Sequence, residues 1–97
     1  MKLTGKQIRH LRGLGHHLDP VIRIGKEQLS ENVLRSTEEA LETHELIKVK
    51  LQEGCDLDRR EVATALAEQT GASVVQVLGK TILLFRRAEK EKISLPG

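Results

Sequence analysis

The segment that most restricts what this chain can become is "SVVQVLGKTILLFR", residues 73–86. Two runs of β-branched and aliphatic residues are separated by Gly79-Lys80 alone. A two-residue link of that kind suits a type II′ turn between neighbouring antiparallel strands, with glycine in first place. Two more strand-like runs stand upstream. "VIRI", 21–24, is short and β-branched. "LIKVKL", 46–51, alternates, with Ile47, Val49 and Leu51 on one face and Lys48 and Lys50 on the other.

Helical signals fill the intervals. Thr4 and Gln7 have capping-box spacing and predict a helix to about Gly15. At about 100° per residue, Leu3, Ile8, Leu11, Leu14 and Leu18 gather on one side, whereas Lys2, Lys6, Arg9, Arg12 and His16 fall opposite. Ser30 suits the N-cap of a second helix with a buried stripe of Val33, Thr37, Ala40 and Leu41 and an outer face carrying Glu31, Glu38 and Glu42. Asp58 and Glu61 are again spaced as a capping box, and Gly71 ends that third helix. The order is α-β-α-β-α-β-β. Such alternation implies right-handed βαβ crossovers and an α/β fold, a four-stranded mixed sheet packed with helices. Residues 1–97 form one domain on this reading, and the charged segment 88–97, "AEKEKISLPG", is expected to leave the compact body as a partly extended tail.

Composition narrows function. At 97 residues there is room for one modest core and no second domain. The first residues are too polar for a signal peptide, and no apolar run approaches the about 20 residues that span a bilayer, so a cytoplasmic protein without membrane contact is expected. Cys55 has no second thiol for a disulfide or a structural zinc site. The net charge of +2 hides a segregation: residues 1–26 carry +5, 27–68 carry −6 and 69–97 carry +3.

No constellation for catalysis stands out. Asp19 with His16 and His17, and His44 with Glu45, lack a nucleophile or a further orienting group. Adjacent histidines make poor joint metal ligands, and "GLGHHL" follows a helix and lacks the third glycine of a dinucleotide fingerprint. No enzyme activity, metal, cofactor or small-molecule substrate is expected. Phe85 is the one Phe, Tyr or Trp and reads as core, which excludes a base-stacking platform of several rings. If the basic ends meet a nucleic acid, phosphate and 2′-hydroxyl contacts from Lys and Arg are the means open to them, which suits folded RNA. A protein-interaction module using the acidic second helix is the alternative.

The runs "GKQIRHLRGLGHHLDPVIRIG", "ETHELIKVKL", "VQVLGKTILLFRR" and "KISLP" stand in this order along the chain. With them the sequence resembles, end to end, the small bacterial YhbY-type members of the CRM-domain RNA-binding family. The resemblance implies a domain similar to the C-terminal domain of bacterial initiation factor three. It also implies binding of structured rRNA and association with precursors of the large ribosomal subunit as an assembly factor. The family's Gly-x-x-Gly loop aligns with Gly25-Lys26-Glu27-Gln28, and this chain departs at the second glycine. A glycine-rich loop lets backbone amides approach a phosphate, and the helix N-terminus after it adds partial positive charge. The expected RNA-binding residues are therefore Lys2, Lys6, Arg9, Arg12, His16, Arg23, Gly25, Lys26, Gln28, Lys48, Lys50, Lys80 and Arg86.

Overall fold

Three polar side chains stop extended backbone and start helices in a computed structural model that describes residues 2–97. The Thr4 hydroxyl accepts from the Gln7 amide at 3.1 Å while the Thr4 amide donates to Gln7 Oε1 at 3.0 Å, opening α1 (Gly5–Gly15). Ser30 Oγ accepts from the Val33 amide at 3.2 Å and opens α2 (Glu31–His44). Before α3 (Arg59–Thr70), the Asp58 carboxylate accepts from the Arg60 amide at 3.2 Å, a one-sided cap where the spacing predicts a box with Glu61. Gly71 ends α3 at φ 75°, in the left-handed region that glycine enters without steric cost.

The strands are β1 (Ile22–Ile24), β2 (Leu46–Leu51), β3 (Ser73–Leu78) and β4 (Thr81–Phe85), ordered β1-β2-β4-β3 in one sheet. β1 and β2 are parallel and joined through α2; the β2–β4 and β4–β3 pairs are antiparallel. The mixed sheet and the element order match the sequence expectation. Gly79 has φ 58° and begins the turn between Leu78 and Thr81, as a type II′ link requires. One irregularity was not legible: Val74 faces Leu84 and Gln76 faces Leu83, which leaves Val75 as the extra residue of a β-bulge.

Each face of the sheet has its own apolar cluster. α2 and α3 cover the face of Ile22, Ile24, Ile47, Val49, Leu51, Ile82 and Leu84. α1 covers the opposite face, where Leu11 meets Leu46, Val75, Leu83 and Phe85. Gly15 lets the end of α1 come close, because a Cβ there would lie 2.5 and 2.8 Å from the Leu83 methyls. The predicted apolar stripe of α1 is shorter than its periodicity suggests. Leu11 is fully buried, but Leu14 is 40% and Leu18 36% exposed, since the helix ends at the sheet edge of this small layer. Ala40 of α2 is half-buried where the stripe predicts burial.

Segment 88–97 forms no helix or strand, yet it folds back onto the body, which corrects the expectation of a departing tail. Its anchor is Glu45, the cap after α2, held at φ 64° with its side chain fully buried. The carboxylate accepts from the amides of Ala88, Lys92 and Ile93 at 2.7, 2.7 and 2.8 Å and from Arg87 at 3.0 Å. Burial alone would raise its pKa; the three amides and the Arg87 guanidinium outweigh burial and hold it below the ordinary carboxylate value. Ile93 and Leu95 then pack under α1, and Gln7 Nε2 donates to the Pro96 carbonyl at 3.1 Å. Charge in the tail sequence suggested solvation, but the carboxylate that holds its backbone lies more than 40 residues upstream.

Candidate nucleic-acid interface

The sheet divides the charges of the chain. α1 carries Lys6, Arg9 and Arg12, all exposed, and no acid; Lys2 precedes it and His16 caps its end, both exposed. α2, on the far side, carries Glu31, Glu38, Glu39 and Glu42 against Arg35.

α1 covers only part of its face, and strand register decides what the open part presents. Arg23 pairs with Lys50, Lys50 with Thr81, and Thr81 with Leu78, so one row across all four strands begins with two adjacent cations. The next row holds Lys48, Leu83 and Gln76, where Lys48 borders a cleft of about 120 Å³ beside Gly15 and His16. Neither row contains an acid. Like charges side by side on a sheet repel unless an anion lies over them, and among the described residues no carboxylate is in ion-pair contact with Arg23 or Lys50. Among the described residues the ion pairs involve Arg86 and Arg87 only, so Lys6, Arg9, Arg12, Arg23, Lys26, Lys48, Lys50 and Lys80 keep their charges toward solvent.

The loop after β1 behaves differently from its sequence reading. The Gln28 amide donates to the Gly25 carbonyl at 3.1 Å, closing a turn with Gln28 at φ 52°. That is the backbone region where glycine is favoured and a side chain costs about 1–2 kcal/mol. Gly25 lies outside it, and a Cβ there would meet Glu27 Oε2 at 3.6 Å, Gln52 Oε1 at 3.8 Å and the Glu53 carbonyl at 3.9 Å, ordinary contacts. The position needing glycine's freedom is thus the one where this chain has Gln28. The N-terminus of α2 adds little for an anion, because Ser30 takes the Val33 amide and Glu31 stands in the first turn. Lys26 is the exposed cation of the loop, and its stem crosses Gly54, whose added Cβ would be 2.8 Å from Lys26 Cγ. Gly54, at φ 96°, was missed because only the bond from the Gln52 amide to the Ile24 carbonyl, 2.8 Å, brings the two loops together.

Lys80 is exposed at the hairpin turn, where Arg59 steadies the neighbouring Gly79 carbonyl at 2.9 Å. Arg86 does not join the basic face. Two strand positions beyond Leu84, it turns to the α2 side, where it binds Glu38 Oε2 at 2.7 Å, the Thr70 carbonyl at 2.8 Å and Glu42 Oε2 at 3.4 Å. Its guanidinium is held by α2 and stands apart from the other cations expected to bind RNA. The same contacts reduce the acidity of the α2 surface. Phe85 is fully buried, as the sequence implies, beneath the Arg87 guanidinium at 5.4 Å.

Residues 3–86, nearly the whole fold, match the CRS1 / YhbY (CRM) domain. The chain belongs to this family. It is 42% identical over 95 residues to the Probable RNA-binding protein YqeI of Bacillus subtilis, covering 97% of this chain and 99% of that one. An RNA-binding protein of Haemophilus influenzae is 43% identical over 95 residues, covering 97% and 95%. Among solved structures, the hypothetical protein SAV1595 of Staphylococcus aureus superposes with a TM-score of 0.82 at 43% identity, covering 98% of this chain and all of that one. No helix among the described residues is long and apolar enough to cross a membrane.

Proposed function

We propose that this CRM domain binds structured RNA, with rRNA in precursors of the large ribosomal subunit as its target, and serves there as a non-catalytic assembly factor in the cytoplasm. One observation carries the reading: α1 and the open half of the sheet bring cations and no acid of their own to a single face, with Asp19 at its margin. Relatives named as RNA-binding proteins over nearly their whole length support it. With its one large aromatic ring buried, the protein has Lys, Arg and backbone groups with which to recognise RNA by phosphate spacing and shape. By binding one arrangement of rRNA better than others it would raise the population of that arrangement.

Titration of an rRNA hairpin at increasing salt tests the face. Replacing Lys6, Arg9 and Arg12 by Ala should lower the log–log slope, each lost phosphate contact removing about 0.7–0.9. An unchanged slope with an intact fold refutes the assignment. In lysate gradients at low salt the protein should travel with immature large subunits and leave them as salt rises; sedimentation only at the top refutes the particle assignment.

A further inference from the structure

Three of the five large hydrophobic side chains exposed among the described residues are neighbours: Leu14 at 40%, Leu18 at 36% and Val21 at 48%. They line one groove of about 450 Å³ between the end of α1, the 16–21 connection and the start of β2, with Ile93 of the folded-back tail closing one side. Leu46 and Ile47 at the start of β2 also line it, and its polar edge is Asp19, His44 and Lys48. A cluster of aliphatic side chains left open costs stability and solubility unless something covers it.

Resting on the RNA-binding reading above, we infer that this groove receives a single unpaired nucleobase splayed from the RNA held on the basic face. Continuity decides the occupant. Lys48 borders this groove and also the cleft beside His16 in the sheet's basic face, so a backbone lying on Arg23, Lys50 and Lys48 delivers a base to the groove mouth. Aliphatic walls can sandwich a base as rings do, by contact with its flat faces. The polar edge supplies what the rim of a base requires: the Asp19 carboxylate accepts from an exocyclic amino group, and the Lys48 ammonium donates to a ring carbonyl or to the adjoining phosphate. A chain with one buried Phe thus gains a place to distinguish interrupted from continuous helices, which phosphate contacts alone do not provide.

Two RNA hairpins of equal stem length, one fully paired and one carrying a single bulged adenosine, test this with the full chain. The parent should bind the bulged hairpin about tenfold more tightly, within the range for burying one base. A 2-aminopurine at the bulge should change its fluorescence on binding. The Leu18→Ser, Val21→Ser double variant alters exposed positions; it should lose the preference and the fluorescence change while binding the paired hairpin with the parent's salt slope. The triple α1 variant should weaken on both hairpins and keep the preference. Equal binding of both hairpins by the parent, or a preference that survives the double variant, overturns the groove assignment and leaves the basic face standing. Absence of salt-dependent binding to either hairpin refutes the basic face itself. Concentration-dependent dimerisation in sedimentation, abolished by the double variant, overturns the assignment in favour of a second copy as occupant.

Discussion

Replacing Glu45 by Ala tests whether a buried carboxylate holds the C-terminal segment to the domain. The parent carboxylate receives four hydrogen bonds, three from the amides of Ala88, Lys92 and Ile93 and one from Arg87. If the segment stayed docked in the variant, those donors would lose their acceptor, and breaking a buried ion pair from one side costs about 3–5 kcal/mol. If it detached, the donors would rehydrate. The loss would then comprise the packing of Ile93 and Leu95, both half-buried and so each below the about 1.5–3 kcal/mol of full burial, together with charge-assisted hydrogen bonds of about 1.5–3 kcal/mol each. Detachment adds up to more than the docked route, so the docked route sets the outcome at about 3–5 kcal/mol, a large part of the about 5–15 kcal/mol that stabilises a domain. Urea unfolding followed by circular dichroism measures the loss. Hydrogen exchange locates it: the amides of Ala88, Lys92 and Ile93 should lose protection ahead of β2 and β4. A loss under about 0.5 kcal/mol with those three amides still protected would refute the reasoning, because ordinary surface changes reach that size.

The same carboxylate predicts an acid limb: its folded pKa is below its ordinary 4.5, so its contribution is complete above that value and disappears as pH falls through the folded pKa. Glu45→Gln should flatten this limb when urea midpoints are compared between about pH 3 and 6. Gly15→Ala should fall short, in thermal melts, of the about 1 kcal/mol that Ala for Gly gains in a helix, because its Cβ meets the Leu83 methyls and that side chain must shift; a gain of the full amount counts against the close approach. Gln28→Gly should stabilise by about 1 kcal/mol by relieving the left-handed backbone and should leave RNA affinity equal or tighter, whereas Gln28→Ala should not stabilise. A Gln28→Gly variant less stable than the parent contradicts the turn geometry.

Local chemistry made most elements readable. Thr4, Ser30 and Gly71 act within a few residues of themselves, and Gly79-Lys80 leaves the hairpin little choice, so helix starts, the turn and the element order are visible in the chain. Alternation likewise places Lys48 and Lys50 opposite Ile47, Val49 and Leu51. Periodicity says which side of its own element a residue takes. It does not say what lies over that side. Only the parallel register of β1 on β2 sets Arg23 beside Lys50, only the reach of α1 leaves that row open, and only the packing of α2 on the far face withdraws Arg86 to Glu38. Glu45 is the clearest case: in sequence it is one of fourteen acids and is set apart only by the His44 beside it, and its partners lie beyond residue 86. A buried charge is tolerated where distant amides converge on it, and convergence across 40 residues is a property of the folded chain that no local spacing encodes.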